Sequence, residues 1–77
     1  MACRIGISTD PDNRIKYWKE KEGHTHSKIL ARKLTFGDAQ IRESEEAKNR
    51  GCISSPGGNP GNDRYNRVWS VYNVWGR

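Results

Sequence analysis

An arginine placed eight residues after a glycine is the first pattern in this sequence that could do chemistry. Gly6 lies in the run CRIGIS, and Arg14 lies in the run PDNRIKYW that follows it. A guanidinium group presents a fork of N–H donors that binds phosphate oxygens. A glycine inside a strand often marks a place where a ligand or another backbone approaches closely. On the glycine alone, a bulge or a contact with a neighbouring tryptophan is the favoured explanation.

A lone carboxylate is the second such feature. Residues spaced by three and four share one face of a helix, and one such stripe consists of Phe36, Ala39, Glu43 and Ala47. Burying the Glu43 charge on this stripe is costly unless the carboxylate is paired or binds a cation. The alternative inward stripe, which leaves Glu43 in water, consists of Gln40, Ile41, Ser44 and Ala47. The sequence does not decide between the two stripes.

Two histidines and two cysteines suggest a different chemistry. His24 and His26 form a His-x-His pair, and Cys3 and Cys52 could complete a tetrahedral zinc site with them. The sequence has no Cys-x-x-Cys pair, and this spacing is not diagnostic. Zinc is therefore a minor alternative, and we expect exposed or hydrogen-bonded histidines.

The composition favours a single basic domain. A chain of 77 residues supports one small core, and the net charge of +5 favours a polyanionic partner, since basic side chains release counterions from phosphates. No run of residues approaches the roughly 18 apolar residues of a membrane span, and the N-terminus lacks a signal-peptide core. We expect a cytoplasmic protein with reduced thiols and no membrane contact.

The first strand and helix must position the arginine. The pattern of residues 3–8 predicts a strand with one apolar face, while the other face carries Arg4, Gly6 and Ser8. An N-cap aspartate and a C-cap glycine predict a helix over residues 11–22. Arg14 lies near the start of this helix, so that its side chain can reach back towards the strand.

The rest of the chain completes a predicted α+β fold. A strand over residues 27–34 precedes a helix over 36–50, which Thr35 caps. A loop rich in Gly and Pro spans 51–64, and aromatic and β-branched residues predict a strand over 67–75. We expect one domain over residues 1–77, a small antiparallel sheet of about three strands flanked by two main helices.

The run RIGISTDPDNR resembles the second half of the GIY-YIG endonuclease motif, in which an arginine follows the motif glycine by eight residues. The next strand and helix, SKILARKLTF and GDAQIRE, are also similar to those of the family. Ala39 precedes Glu43 by four residues, as an alanine precedes the metal-binding glutamate there. The resemblance covers roughly residues 3 to 50.

The resemblance implies a nuclease that uses one Mg²⁺ or Mn²⁺ ion. Glu43 would hold the metal and Arg14 would stabilise phosphate charge, while Arg4, Gly6, Ser8 and Asn66 would contact the substrate. The family's first strand is absent before residue 3, and Arg4 replaces the tyrosine of the second motif. If residues 68–75 pair beside residues 4–8, the sheet is circularly rearranged, and Tyr72 takes the place of the first tyrosine. A core position for Tyr72 is the favoured alternative, and Asn73 is the second choice for the family's asparagine.

Three functions are consistent with these features. The first is a phosphodiester-cleaving endonuclease, with DNA preferred to RNA, which would need to form a homodimer to cut two strands. The second is a nucleic-acid-binding module that keeps the scaffold without the chemistry. The third is a small protein-binding adaptor that uses the Trp-rich C-terminal strand. The size and single domain suit a phage or mobile-element gene product. All the nuclease predictions require Arg14 and Glu43 to meet at the opening strand.

Overall fold

The computed structural model describes residues 3–54 and 66–76, which form an α+β fold of two helices and a four-stranded sheet. The elements follow in the order β1 (Cys3–Ser8), α1 (Pro11–Glu22), β2 (His26–Leu34), α2 (Phe36–Arg50), β3 (Ile53–Ser54) and β4 (Trp69–Trp75). In this part of the chain, neither helix has the length and apolar character needed to cross a membrane.

The sheet is mixed, with the strand order β2-β4-β1-β3. β4 pairs antiparallel with β1 and with β2, whereas β3 runs parallel to β1. The pairing of the C-terminal strand beside β1, which the sequence analysis raised only as a condition, is present, but the prediction of about three antiparallel strands is wrong. β3 has only two residues, too few for an alternating pattern, and it lies in the segment assigned to the Gly/Pro loop. The remainder of that loop, from residue 55 onward, lies outside the described residues.

Capping side chains define both helices at the predicted bounds. The Asp10 carboxylate accepts from the backbone N–H of Asn13 at 3.4 Å, and the Thr35 hydroxyl accepts from that of Asp38 at 3.2 Å. Each helix ends at a glycine with a left-handed backbone, with φ of 72° at Gly23 and 67° at Gly51. Glycine adopts this conformation without the strain that a Cβ atom would add.

The two helices cover opposite faces of the sheet. Ala39 and Ala47 of α2 pack in one cluster with Ile5 and Val71. The second cluster belongs to α1 and consists of Ile15 and Trp18 with Tyr72, Val74 and Ile29. Neighbouring residues of a strand point to opposite faces, so Val71 and Tyr72 of β4 assign α2 and α1 to different sides.

A disulfide joins Cys3 at the start of β1 to Cys52, which precedes β3. The expectation of reduced thiols is wrong, because the pairing of β3 with β1 brings the Cα atoms of the two cysteines to 4.9 Å from each other. The bond holds the short β3 strand against the sheet edge. Disulfides persist mainly in oxidising environments, and the cytoplasmic location, which was inferred from the lack of a signal-peptide core, stays a prediction.

Candidate nucleic-acid interface

A buried hydrogen bond anchors α1 to the sheet. The indole N–H of Trp18 donates to the Tyr72 hydroxyl at 2.8 Å, and both side chains are buried. The guanidinium Cζ of Arg4 lies 4.1 Å from the Trp18 ring centroid, in cation–π geometry. Arg4 also forms an ion pair with Glu22 at 2.8 Å. Arg4 therefore stacks on the indole and joins β1 to the end of α1.

Gly6 makes room for the Tyr72 ring. The two residues are direct cross-strand partners in β1 and β4. A Cβ atom built on Gly6 would lie 2.5 Å from Cζ of Tyr72 and closer still to its hydroxyl oxygen. The backbone at Gly6 is thus covered by an aromatic side chain rather than open to a ligand. The sequence analysis named a contact with a tryptophan as one explanation for Gly6; the contact is aromatic, but the residue is Tyr72.

Further along α1, two basic side chains lie against the ring of an exposed tyrosine. Tyr17 is 41% exposed, and its ring meets the edge of Trp18 at a centroid distance of 5.0 Å. Cζ of Arg14 lies 4.8 Å from the Tyr17 ring centroid, and Nζ of Lys21 lies 5.4 Å from it. The Lys21 ammonium also donates to the Tyr17 hydroxyl at 3.1 Å. We call these four residues the cation–aromatic cluster.

An open cleft of about 310 Å³ adjoins this cluster on the outer side of α1. Its lining consists of Asn13, Arg14, Lys16, Tyr17 and Glu20. We call it the Tyr17 cleft. It combines an aromatic wall with two cations, an amide and one carboxylate, so its surface offers both charge and hydrogen-bonding groups.

Glu43 lies on the inner stripe of α2, between the buried residues Ala39 and Ala47. The alternative stripe is excluded, because Ile41 is 60% exposed. Burial raises the pKa of Glu43 above its ordinary value, and a side-chain hydrogen bond with Ser54 partly opposes the rise. Its Oε2 atom is buried and has no hydrogen-bond partner among the residues that the structure describes. A carboxylate in this position carries a desolvation penalty that a bound cation would offset.

Arg14 and Glu43 do not converge. Arg14 lies with α1 beside the Tyr17 and Trp18 rings, whereas Glu43 lies with α2 next to Ser54 on the opposite face of the sheet. The expectation that both side chains meet at β1 is therefore wrong. The two side chains are separated because the sheet is buried on both faces and each helix packs against a different one.

Tyr72, Ser8 and Asn66 are the other predicted site residues, and the structure places each of them differently. Tyr72 is 1% exposed, and its hydroxyl already accepts a hydrogen bond, which favours the core alternative. The Ser8 hydroxyl accepts from the backbone N–H of Asp10 at 2.9 Å and so belongs to the turn before α1. Asn66 is exposed just before β4. None of these contacts tests a role in binding substrate.

Two metal sites were predicted, one for zinc and one for Mg²⁺ or Mn²⁺. The zinc alternative cannot form in this structure, because the sulfur atoms of Cys3 and Cys52 are bonded to each other. His24 Nδ1 contacts the Gly76 carbonyl oxygen at 3.2 Å, and His26 stacks on Trp75. In residues 3–54 and 66–76, no three His, Cys, Asp or Glu side chains form a group suited to a metal ion. For Mg²⁺ or Mn²⁺, Glu43 would supply one carboxylate ligand.

The sequence reasoning missed most of the cation–aromatic cluster. It identified Arg14, but it assigned no functional role to Tyr17, Trp18 or Lys21. A signal was present, since Tyr17 follows Arg14 by three residues and Lys21 follows Tyr17 by four. These spacings place side chains side by side on a helix surface.

Comparisons with known proteins identify no relative. The chain matches no protein-family model, no curated protein and no solved structure. The GIY-YIG resemblance therefore stays a prediction, and functional inference depends on the side chains described above.

Proposed function

We propose that this protein binds nucleic acid through the exposed face of α1. The observation that carries the proposal is the cation–aromatic cluster, in which Arg14 and Lys21 lie against the rings of Tyr17 and Trp18. Cations interleaved with aromatic rings are the elements that proteins use to hold phosphates and to stack on bases. This function corresponds to the binding module without nuclease chemistry.

The charges of the cluster are available to a ligand. Within the described part of the chain, neither Arg14 nor Lys21 takes part in an ion pair, whereas Arg42 and Arg50 are both paired with Glu46. The net charge of +5 adds a long-range attraction for polyanions. Binding by these groups would release counterions from phosphates, so affinity should fall steeply with salt.

The adaptor alternative has less structural support. Its proposed surface was the Trp-rich C-terminal strand, but β4 lies between β2 and β1. Trp69 is 7% exposed, and Val71 and Val74 are fully buried. These side chains form the core of the domain, and they offer little surface to a protein partner.

A second candidate, favoured by Glu43, is a metal-dependent nuclease whose site differs from the GIY-YIG arrangement, since that arrangement required Arg14 and Glu43 to meet. The support is one buried carboxylate oxygen that lacks a partner among the described residues. If this candidate is right, Glu43 binds the Mg²⁺ or Mn²⁺ ion, which supplies Lewis-acid chemistry at a phosphodiester. Arg14 cannot then share that site, since the sheet lies between the two side chains.

The binding proposal is tested by fluorescence anisotropy with labelled DNA and RNA over a range of salt concentrations. We expect binding that weakens with salt, and Arg14→Ala should reduce the log–log salt slope by about 0.9, the effect of one lost phosphate contact. Arg42→Ala is the matched control, because it removes the same charge from α2 on the other side of the sheet. Equal weakening by both variants would show that net charge alone drives binding, which would contradict an interface on α1.

The nuclease candidate is tested separately by plasmid nicking with Mg²⁺ or Mn²⁺. Cleavage by the wild type that is abolished in Glu43→Ala would support a metal role for Glu43. Glu45→Ala is the control, because Glu45 is exposed on the same helix and its substitution removes the same charge. Cleavage that persists in Glu43→Ala would exclude Glu43 as the metal ligand.

A further inference from the structure

We infer that the Tyr17 cleft accepts an unpaired base, so that the protein prefers single-stranded nucleic acid to duplex. This inference rests on the proposed nucleic-acid binding, and it names the substrate class of that interface. It depends on the geometry of the ring, on its cations and on the single carboxylate of the cleft.

The first argument is the exposure of the Tyr17 ring. Tyr17 is 41% exposed on a helix whose other aromatic residue, Trp18, is buried. The Arg14 guanidinium lies over the Tyr17 ring at 4.8 Å. Bases stack on aromatic rings and on guanidinium planes. Inside a duplex both faces of each base are already stacked, so this layer can contact only a base that is unpaired or terminal.

The second argument is the carboxylate of Glu20. It lines the cleft together with Lys16 and Asn13. A carboxylate repels a phosphate, but it accepts hydrogen bonds from the exocyclic amino group of a base. The Asn13 amide can both donate and accept at a base edge. The cleft is therefore better suited to a base than to a phosphate, and Lys16 at its wall can contact the flanking backbone.

The third argument concerns shape and charge. The cleft is open and all its lining residues belong to α1, so a planar base can lie against it without entering an enclosed pocket. Arg14 and Lys21 both lie against the Tyr17 ring, with Cζ and Nζ at 4.8 Å and 5.4 Å from its centroid. A row of cations would follow a duplex backbone, whereas this arrangement concentrates charge around one stacking position.

The experiment compares one labelled strand of about 12 nucleotides, a length within the site sizes of single-strand binders, with the same strand annealed to its complement. DNA and RNA versions are measured by anisotropy at one salt concentration. We expect wild type and Tyr17→Phe to bind the single strand more tightly than the duplex. Tyr17→Ser should weaken single-strand binding about tenfold, the effect of one lost stack, and should weaken duplex binding less, so that the preference for the single strand is lost.

The outcomes separate the two proposals. Equal affinity of the wild type for single strand and duplex would overturn the base-stacking inference and leave the nucleic-acid binding intact. A single-strand preference that persists in Tyr17→Ser would also overturn it. Absence of binding to either form at low salt would overturn the proposed function itself. Circular dichroism of Tyr17→Ser checks its fold, and Tyr17→Phe shows whether the ring or the hydroxyl is needed.

Discussion

Replacing Gly6 with alanine tests the packing that joins β1, β4 and α1. The added Cβ would lie 2.5 Å from Cζ of Tyr72, far inside van der Waals contact. Tyr72 cannot easily yield, because it is 1% exposed and its hydroxyl is held by the Trp18 indole. The substitution should therefore displace a buried ring.

The expected magnitude follows from two contributions. Overpacking a core typically lowers the free energy of unfolding by about 1–3 kcal/mol, and loss of the Trp18–Tyr72 hydrogen bond adds about 1 kcal/mol. Since each kcal/mol shifts the Tm of a domain of this size by about 4–8 °C, Gly6→Ala should lower the Tm by about 8–32 °C. Without the Tyr72 contact, the same change would stabilise a strand by about 0.5–1 kcal/mol.

Thermal denaturation followed by circular dichroism measures the effect. Gly37→Ala is the matched control, because a Cβ at Gly37 on α2 has no neighbour within 4 Å among the described residues, and it should leave the Tm unchanged or raise it. In a Tyr72→Leu background, which removes the crowded phenol atoms, Gly6→Ala should destabilise much less. A Gly6→Ala Tm equal to or above that of the wild type would refute the argument.

Two further predictions concern stability. Burial raises the pKa of Glu43, so the folded state favours the protonated carboxyl group. The stability that this gives is fully present below the pKa of Glu43 in the unfolded state and is lost as the pH rises through the folded pKa. Glu43→Gln should therefore raise the Tm at pH 7 and reduce the decline of the Tm above pH 4.5. Denaturation at several pH values measures this, with Glu45→Gln as the control; a lower Tm for Glu43→Gln at pH 7 would contradict it. Reducing the Cys3–Cys52 bond, which spans 49 residues, should cost about 2–4 kcal/mol. Melting with and without a thiol reductant checks this, and a Tm unaffected by the reductant would contradict it.

The helices were the most predictable part of this fold, because their ends depend on local chemistry. Asp10 and Thr35 accept from N–H groups three residues later, and the glycines after each helix have left-handed backbones. Such capping interactions involve neighbours in the sequence, so a residue pattern is enough to locate them. β3 was not predictable in this way, because two residues carry no periodicity and their pairing depends on distant β1.

The candidate site was harder to predict, because it depends on which face of the sheet each helix covers. The chemistry of Arg14 and Glu43 was inferred from their types, and both lie on the helices expected for them. Their convergence was an assumption about tertiary structure. The inward stripe of α2 that contains Glu43 was one of two that the sequence left open, and the burial of Ala39 together with the exposure of Ile41 selects it.

The sequence of β4 indicates whether the two helices lie on the same face of the sheet or on opposite faces. All residues from Trp69 to Val74 are buried, polar Ser70 and Asn73 included. A strand covered on one face alternates buried and exposed residues, whereas a strand covered on both faces shows a continuous apolar run. Read in that way, WSVYNVW requires a layer on each side of the sheet, and the chain offers only α1 and α2 as long amphipathic segments in its described part. The two helices must then separate, and with them Arg14 and Glu43. A ligand that contacts Arg14 would consequently have to approach from the α1 side, where Tyr17 lies beside Arg14.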